Sequence, residues 1–234
     1  MDKTHSRRTF LGKLATGTLA LGASVLPNAH AAQPAQIMSP DEALGLLKEG
    51  NRAFLAGKVN PEAASAERRL EIARGQHPFA VLVGCSDSRV SPEILFERQL
   101  GELFIVRNAG NTVEDFSALG SIEYAVLELG VPLILVLGHE KCGAVDAAVS
   151  IVTENTEFPG SIGAMVEPIL PAVLAVRNEP GDLLDNAVRE NVRRVVARLK
   201  TSDALLSGPM AEGRLKIVGA RYDLDTGEVD FSVA

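Results

Sequence analysis

Hydrophobic positions along the chain change period once. From Ala43 they recur at Leu46, Leu47, Ala53 and Phe54, a helical spacing that runs on to Gly57. Ser39-Pro40-Asp41-Glu42 supplies the start of that helix, with Ser as N-cap, Pro at the first helical position and acids in the first turn. A second helical stretch, Glu62 to Arg74, is more charged and so more exposed. Short apolar runs then begin: Phe79 to Val83, ending at Gly84; Leu103 to Val106; Leu133 to Leu137, ending at Gly138; and Leu215 to Val218. Such runs read as buried parallel strands. Helical patterns lie between and after them, over Phe116–Leu129, Ala144–Thr153, Ile162–Val176 and Leu183–Leu199. Asp225-Thr226-Gly227 is a turn into a last strand, Val229 to Val233. Strands alternating with helices predict one α/β domain over residues 39–234. Its sheet is mostly parallel, about four parallel strands plus an antiparallel edge strand, flanked by helices and preceded by an N-terminal helical arm.

The first residues follow another logic. Arg7-Arg8 stands before Leu14–Leu26, a modestly apolar stretch without charge, and Pro27 then leads to Ala29-His30-Ala31-Ala32, an A-x-A pattern. Charged start, apolar middle and small-residue end make a secretory signal over residues 1–31, and the paired arginines are similar to those of a bacterial twin-arginine export signal. Residues 32–38 then form a linker, and the expected location is the periplasm, reached folded through the export machinery.

Composition narrows the class. With 23 Lys+Arg against 30 Asp+Glu in 234 residues the formal charge is −7, which excludes a broad basic face for nucleic acid. Removal of residues 1–31 leaves 19 basic and 29 acidic residues, a charge of −10, and two histidines, His77 and His139. No window has the roughly 20 unbroken apolar residues of a membrane span. Two cysteines cannot make a disulfide-dense scaffold.

Those two cysteines carry the chemistry. Cys85 follows the first predicted strand, in Gly84-Cys-Ser-Asp-Ser-Arg-Val90, and His139 follows the third, in Gly138-His-Glu-Lys-Cys-Gly143. In a parallel sheet, ligands sit beyond the carboxyl ends of the strands. An exported chain with two cysteines often joins them in one disulfide. A disulfide, however, requires neither His139 three residues before Cys142 nor Asp87 two residues after Cys85. Two thiolates and an imidazole suit zinc and leave a fourth position open for water, whose pKa the metal lowers to about 7. Asp87 is placed to fill that fourth position or to hydrogen-bond its occupant, and Arg89 to hold Asp87 by a charge-assisted pair. His77, beside Pro78, reads as a loop residue.

With these residues the chain resembles the β-class carbonic anhydrases over about Ser39 to Ala234. The resemblance rests on Cys85-Ser-Asp87-Ser-Arg89, on Glu102-Leu-Phe-Ile-Val-Arg107-Asn-Ala-Gly-Asn111, on Ser121-Ile-Glu-Tyr-Ala-Val126 and on Gly138-His139-Glu-Lys-Cys142-Gly-Ala-Val145. It implies one zinc per subunit on Cys85, His139 and Cys142, and a catalytic pair, Asp87 and Arg89. It also implies a substrate contact from Gln99, although Leu100 here replaces the proline that follows this glutamine in the family. The implied reaction is reversible hydration of carbon dioxide to bicarbonate and a proton, by zinc-bound hydroxide attack. Some members close the site with the aspartate as a fourth ligand, which here would be Asp87. The family's bicarbonate-inhibited members use a tryptophan, and this chain has none, which points to the open type. Dimers, or dimers of dimers, are implied too, with N-terminal helices crossing onto the partner and the active site at the interface. Two rival readings share the motifs: a hydrolase of carbon disulfide or carbonyl sulfide, and a non-catalytic zinc or bicarbonate-sensing protein.

Overall fold

A computed structural model describes residues 38–201 and 204–234 of the chain. In chain order the elements are α1 (Pro40–Leu55), α2 (Ala66–Ile72), β1 (Ala80–Cys85), α3 (Pro92–Leu95), β2 (Leu103–Asn108), α4 (Phe116–Leu127), β3 (Leu133–His139), α5 (Gly143–Glu154), α6 (Ser161–Val166), a 3₁₀ turn (Glu167–Ile169), α7 (Leu170–Val176), α8 (Leu183–Thr201), α9 (Ala204–Ala211), β4 (Lys216–Tyr222) and β5 (Val229–Asp230). The strands form one sheet in the order β2-β1-β3-β4-β5, parallel except for β5. This is the predicted mostly parallel sheet with an antiparallel edge. The described residues fall within one unit, Ile37–Ala234, and the expected signal segment, residues 1–31, lies outside them. Among the described residues no helix is long and apolar enough to cross a membrane.

Local chemistry starts the helices where the sequence indicates. Ser39 and Glu42 form a capping box, the Ser39 hydroxyl accepting from the Glu42 N–H and the Glu42 carboxylate from the Ser39 N–H. Asp115 caps α4 by accepting from the N–H groups of Ser117 and Ala118. Both faces of the sheet are buried, so β1 and β3 read as unbroken apolar runs rather than alternating ones. On one face Val81, Val83, Ile134, Val136 and Ile217 pack with α4, α8 and α9. On the other, Leu82, Leu133, Leu135 and Val218 pack with Ala43 and Leu47 of α1 and with Leu95 and Phe96.

Besides the shifted ends of α2, which begins at Ala66 and not Glu62, and of β4, which runs to Tyr222 and not Val218, the structure departs from the predicted elements in four places. The expected helix over Ile162–Val176 is broken into α6, the 3₁₀ turn and α7, because Pro168 and Pro171 remove N–H donors from its middle. Gly84 and Gly138 do not end their strands, which run on to Cys85 and His139. A Cβ at Gly138 would stand 2.6 Å from a methyl of Val192, and one at Gly219 2.7 Å from the other, so these glycines let α8 lie close on the sheet. The last strand stops at Asp230 instead of Val233, where the Asp230 carboxylate accepts from the Ser232 N–H and hydroxyl and turns the chain. Helices α3 and α9 are too short, and α9 too evenly apolar, to show a periodic face in the sequence.

Candidate metal centre

β1 and β3 are neighbours in register, with Gly84 opposite Leu137, so their carboxyl ends bring Cys85 and His139 to one edge. Lys141, in the left-handed region at φ 51°, then turns the chain so that Cys142 becomes the N-cap of α5. All three side chains are buried, and their donor atoms lie within 4.8 Å of one another, with the two Sγ atoms 3.9 Å apart. A tetrahedral ion with Zn–S bonds of about 2.3 Å sets its sulfurs about 3.8 Å apart, so the spacing fits zinc.

The environment of each donor prepares it for a cation. His139 Nδ1 is 2.8 Å from the Glu140 carbonyl oxygen. A carbonyl only accepts, so Nδ1 holds the proton and Nε2 presents its lone pair to the cluster. Nε2 is buried and has no hydrogen-bond partner in the protein. The hydrogen bond from the Cys142 thiol holds Cys85 below the usual thiol range, against the opposing effect of burial, with help from the Gly110 N–H. The same bond, together with burial, pushes the Cys142 thiol up, although the N–H groups at the start of α5 oppose the rise. The protein alone therefore stabilises one thiolate in the pair, and a divalent cation is what would replace the remaining proton.

Asp87 and Arg89 stand at the rim. Arg89 Nε donates to Asp87 Oδ1 at 2.9 Å and Arg89 Nη2 to Oδ2 at 2.7 Å, while the Arg89 N–H donates to Oδ1. This side-chain fork holds the Asp87 carboxyl well below the usual carboxylate range. Asp87 Oδ2 is also 3.8 Å from His139 Nε2, so the acid faces the cluster without belonging to it. Arg89 Nη2 reaches the Lys141 carbonyl at 3.2 Å and so joins the two motif loops.

The structure thus brings Cys85, His139, Cys142, Asp87 and Arg89 together. Gln99 stands elsewhere: it precedes β2, at the amino end of the parallel strands, where its N–H donates to the Glu102 carboxylate. Spacing gave no role to Arg107, which donates from Nε to the Cys85 carbonyl and from Nη2 to the Asp87 carbonyl, each at 2.7 Å. Nor did it give one to the Gly110 N–H, 3.4 Å from Cys85 Sγ. Both lie in the Glu102–Asn111 motif, which was the available signal.

Comparison with known proteins agrees with this geometry. The family model described as carbonic anhydrase matches residues 80–229, which include every residue of the cluster and its rim. Carbonic anhydrase 2 of Mycobacterium tuberculosis is 43% identical over 189 residues, covering 81% of this chain and 91% of the relative. The β-carbonic anhydrase CcaA superposes with a TM-score of 0.63 at 29% identity, over 80% of this chain and 93% of its own. One of two tetrameric β-carbonic anhydrases from the ascomycete Sordaria macrospora superposes with a TM-score of 0.64 at 25% identity, over 78% and 89%. By sequence, fold and donor set, the chain belongs to the carbonic anhydrase family, as an enzyme of its β class.

Proposed function

We propose that this enzyme binds zinc at Cys85, His139 and Cys142 and interconverts carbon dioxide and water with bicarbonate and a proton. The observation that carries this reading is the Asp87–Arg89 fork, held at the edge of a buried donor triad. A structural zinc site needs no such pair. Zinc there would supply Lewis acidity, enough to let a water in its open position ionise near neutral pH. The role of Asp87 follows from its charge: a carboxylate held ionised by Arg89 accepts a hydrogen bond from the attacking oxygen and orients it, but does not carry the proton away at neutral pH. Both Asp87 oxygens are engaged by Arg89, which supports the open form of the site.

Gln99 lies at the far edge of its own sheet, so its contact with substrate requires a second copy of the chain. Association as a dimer, or a dimer of dimers, is therefore part of the proposal, and light scattering at micromolar concentration tests it. Export to the periplasm rests on residues 1–31 alone. An Ala32 N-terminus on protein recovered from that compartment is the expected result.

Stopped-flow hydration of carbon dioxide by the zinc-replete protein, at about pH 7 and about pH 9, tests the reaction. Turnover at both values is expected of an open site. Turnover only near pH 9 would mean that Asp87 closes it. Absence of turnover at both, with zinc present, would overturn the assignment in favour of a non-catalytic zinc protein or of carbon disulfide or carbonyl sulfide as substrate.

A further inference from the structure

Behind the cluster, a buried amide supports the loop that touches Cys85. The 109–112 segment connects β2 to α4 and is closed on itself: Asn108 Nδ2 donates to the Thr112 carbonyl at 2.7 Å, and the Thr112 N–H returns a bond to Asn108 Oδ1 at 2.9 Å. At its centre Gly110 has φ 82°, and a Cβ there would lie 2.5 Å from Ile169 Cδ1 and 3.3 Å from Ala144 Cβ. Its N–H faces Cys85 Sγ at 3.4 Å, and its carbonyl, on the opposite side of the residue, accepts from Asn191 Nδ2 at 2.9 Å. Asn191 is 2% exposed and belongs to α8, the helix that Gly138 and Gly219 allow close to the sheet.

We propose that Asn191 is a positioning residue for the metal centre: by holding the Gly110 carbonyl it aims the Gly110 N–H at the Cys85 sulfur. An N–H bond to a metal thiolate draws charge from the sulfur and fixes its direction, and such outer partners tune affinity by about 10- to 100-fold. Alternative partners for Gly110 would require the loop to move, and Ile169 and Ala144 wall it in. The inference rests on the assignment of the triad as a zinc site.

The test compares wild type with Asn191→Leu, which keeps size and removes the donor, and with Asn191→Ser, whose hydroxyl is too short to reach Gly110. Leu199→Ala serves as control, because it weakens the packing of α8 about two helical turns from Asn191, in a cluster that contains neither Ile169 nor Ala144. Zinc affinity is measured by chelator competition, the sulfur-to-metal absorption band on the cobalt(II) proteins, and folding by urea titration. At least tenfold weaker zinc binding and a shifted cobalt band are expected for Asn191→Leu, and for Asn191→Ser should the leucine variant not fold. Leu199→Ala should lose stability with affinity and spectrum unchanged. Wild-type affinity and spectrum in the Asn191 variants, or equal changes in Leu199→Ala, would overturn the proposal while leaving the zinc enzyme intact. A wild-type protein that binds no zinc would overturn both.

Discussion

Asp87 is held from three directions by Arg89, and its removal isolates orientation from metal binding. Asp87→Ala is expected to lower kcat for carbon dioxide hydration by at least about 100-fold, the usual scale for losing a positioned acid–base group. Zinc content should stay at the wild-type level, because Asp87 is outside the donor triad. Stopped-flow kinetics paired with metal analysis checks both. The residues at this scale divide by how they act. Cys85, Asp87, Arg89, His139 and Cys142 were legible in the sequence because they contribute side-chain atoms from two short motifs at strand ends. Arg107 and Asn191 bond main-chain carbonyls of residues distant in the chain, Asn191 across 81 positions, and Gly110 acts through its own N–H. No residue type or spacing encodes such a contact.

Among the elements, α1 is joined to the β4–β5 turn by one buried side chain. Asn51 donates to the Gly227 carbonyl at 3.0 Å and the Leu95 carbonyl at 3.3 Å, and its Oδ1 accepts from the Val229 N–H at 3.0 Å. Asn51→Ala strands three main-chain groups in the interior, at about 1–3 kcal/mol each where no water enters. A loss of about 3 kcal/mol or more in urea unfolding is expected, with m unchanged. The parallel sense, the antiparallel edge and the helical arm were foreseeable from periodicity, but the strand order was not. The break at Pro168 and Pro171 was open to reading as well, since a proline inside a helical pattern removes donors, whereas the passage of β3 through Gly138 was not, because its reason lies in packing. A proline or glycine is punctuation when the chain is read alone, whereas here Gly138 is a place for Val192 to sit.

For the molecule as a whole, stability should respond to acid and to metal. Asp230 is brought down to about 2 by the Ser232 hydroxyl and by Arg189, a pair that ties α8 to β5, while Arg189 also binds Asp185 within α8. A carboxylate depressed on folding contributes stability above its ordinary pKa of about 4, and the contribution disappears as pH falls through 2. Metal-free protein should therefore lose urea resistance between about pH 4 and pH 2, less so in Arg189→Ala. The exposed pair itself accounts for under about 1 kcal/mol. Free zinc at a thousand times its Kd adds about 4 kcal/mol to the folded state. Chelation should then lower Tm by about 8–16 °C, as read by calorimetry. The His139–Cys142 loop also leans on a segment more than 80 residues later in the sequence. His139 is in register with Tyr222, the Glu140 N–H donates to the Tyr222 carbonyl, the Leu224 N–H donates to the Glu140 carboxylate, and Lys141 pairs with Asp225. A chain that stops short of β4 can pair β1 with β3 and hold Cys85, His139 and Cys142, yet it lacks the segment that steadies them. Chains clipped before β4 should therefore be recovered poor in zinc, as read by metal analysis, even though all three donors are present.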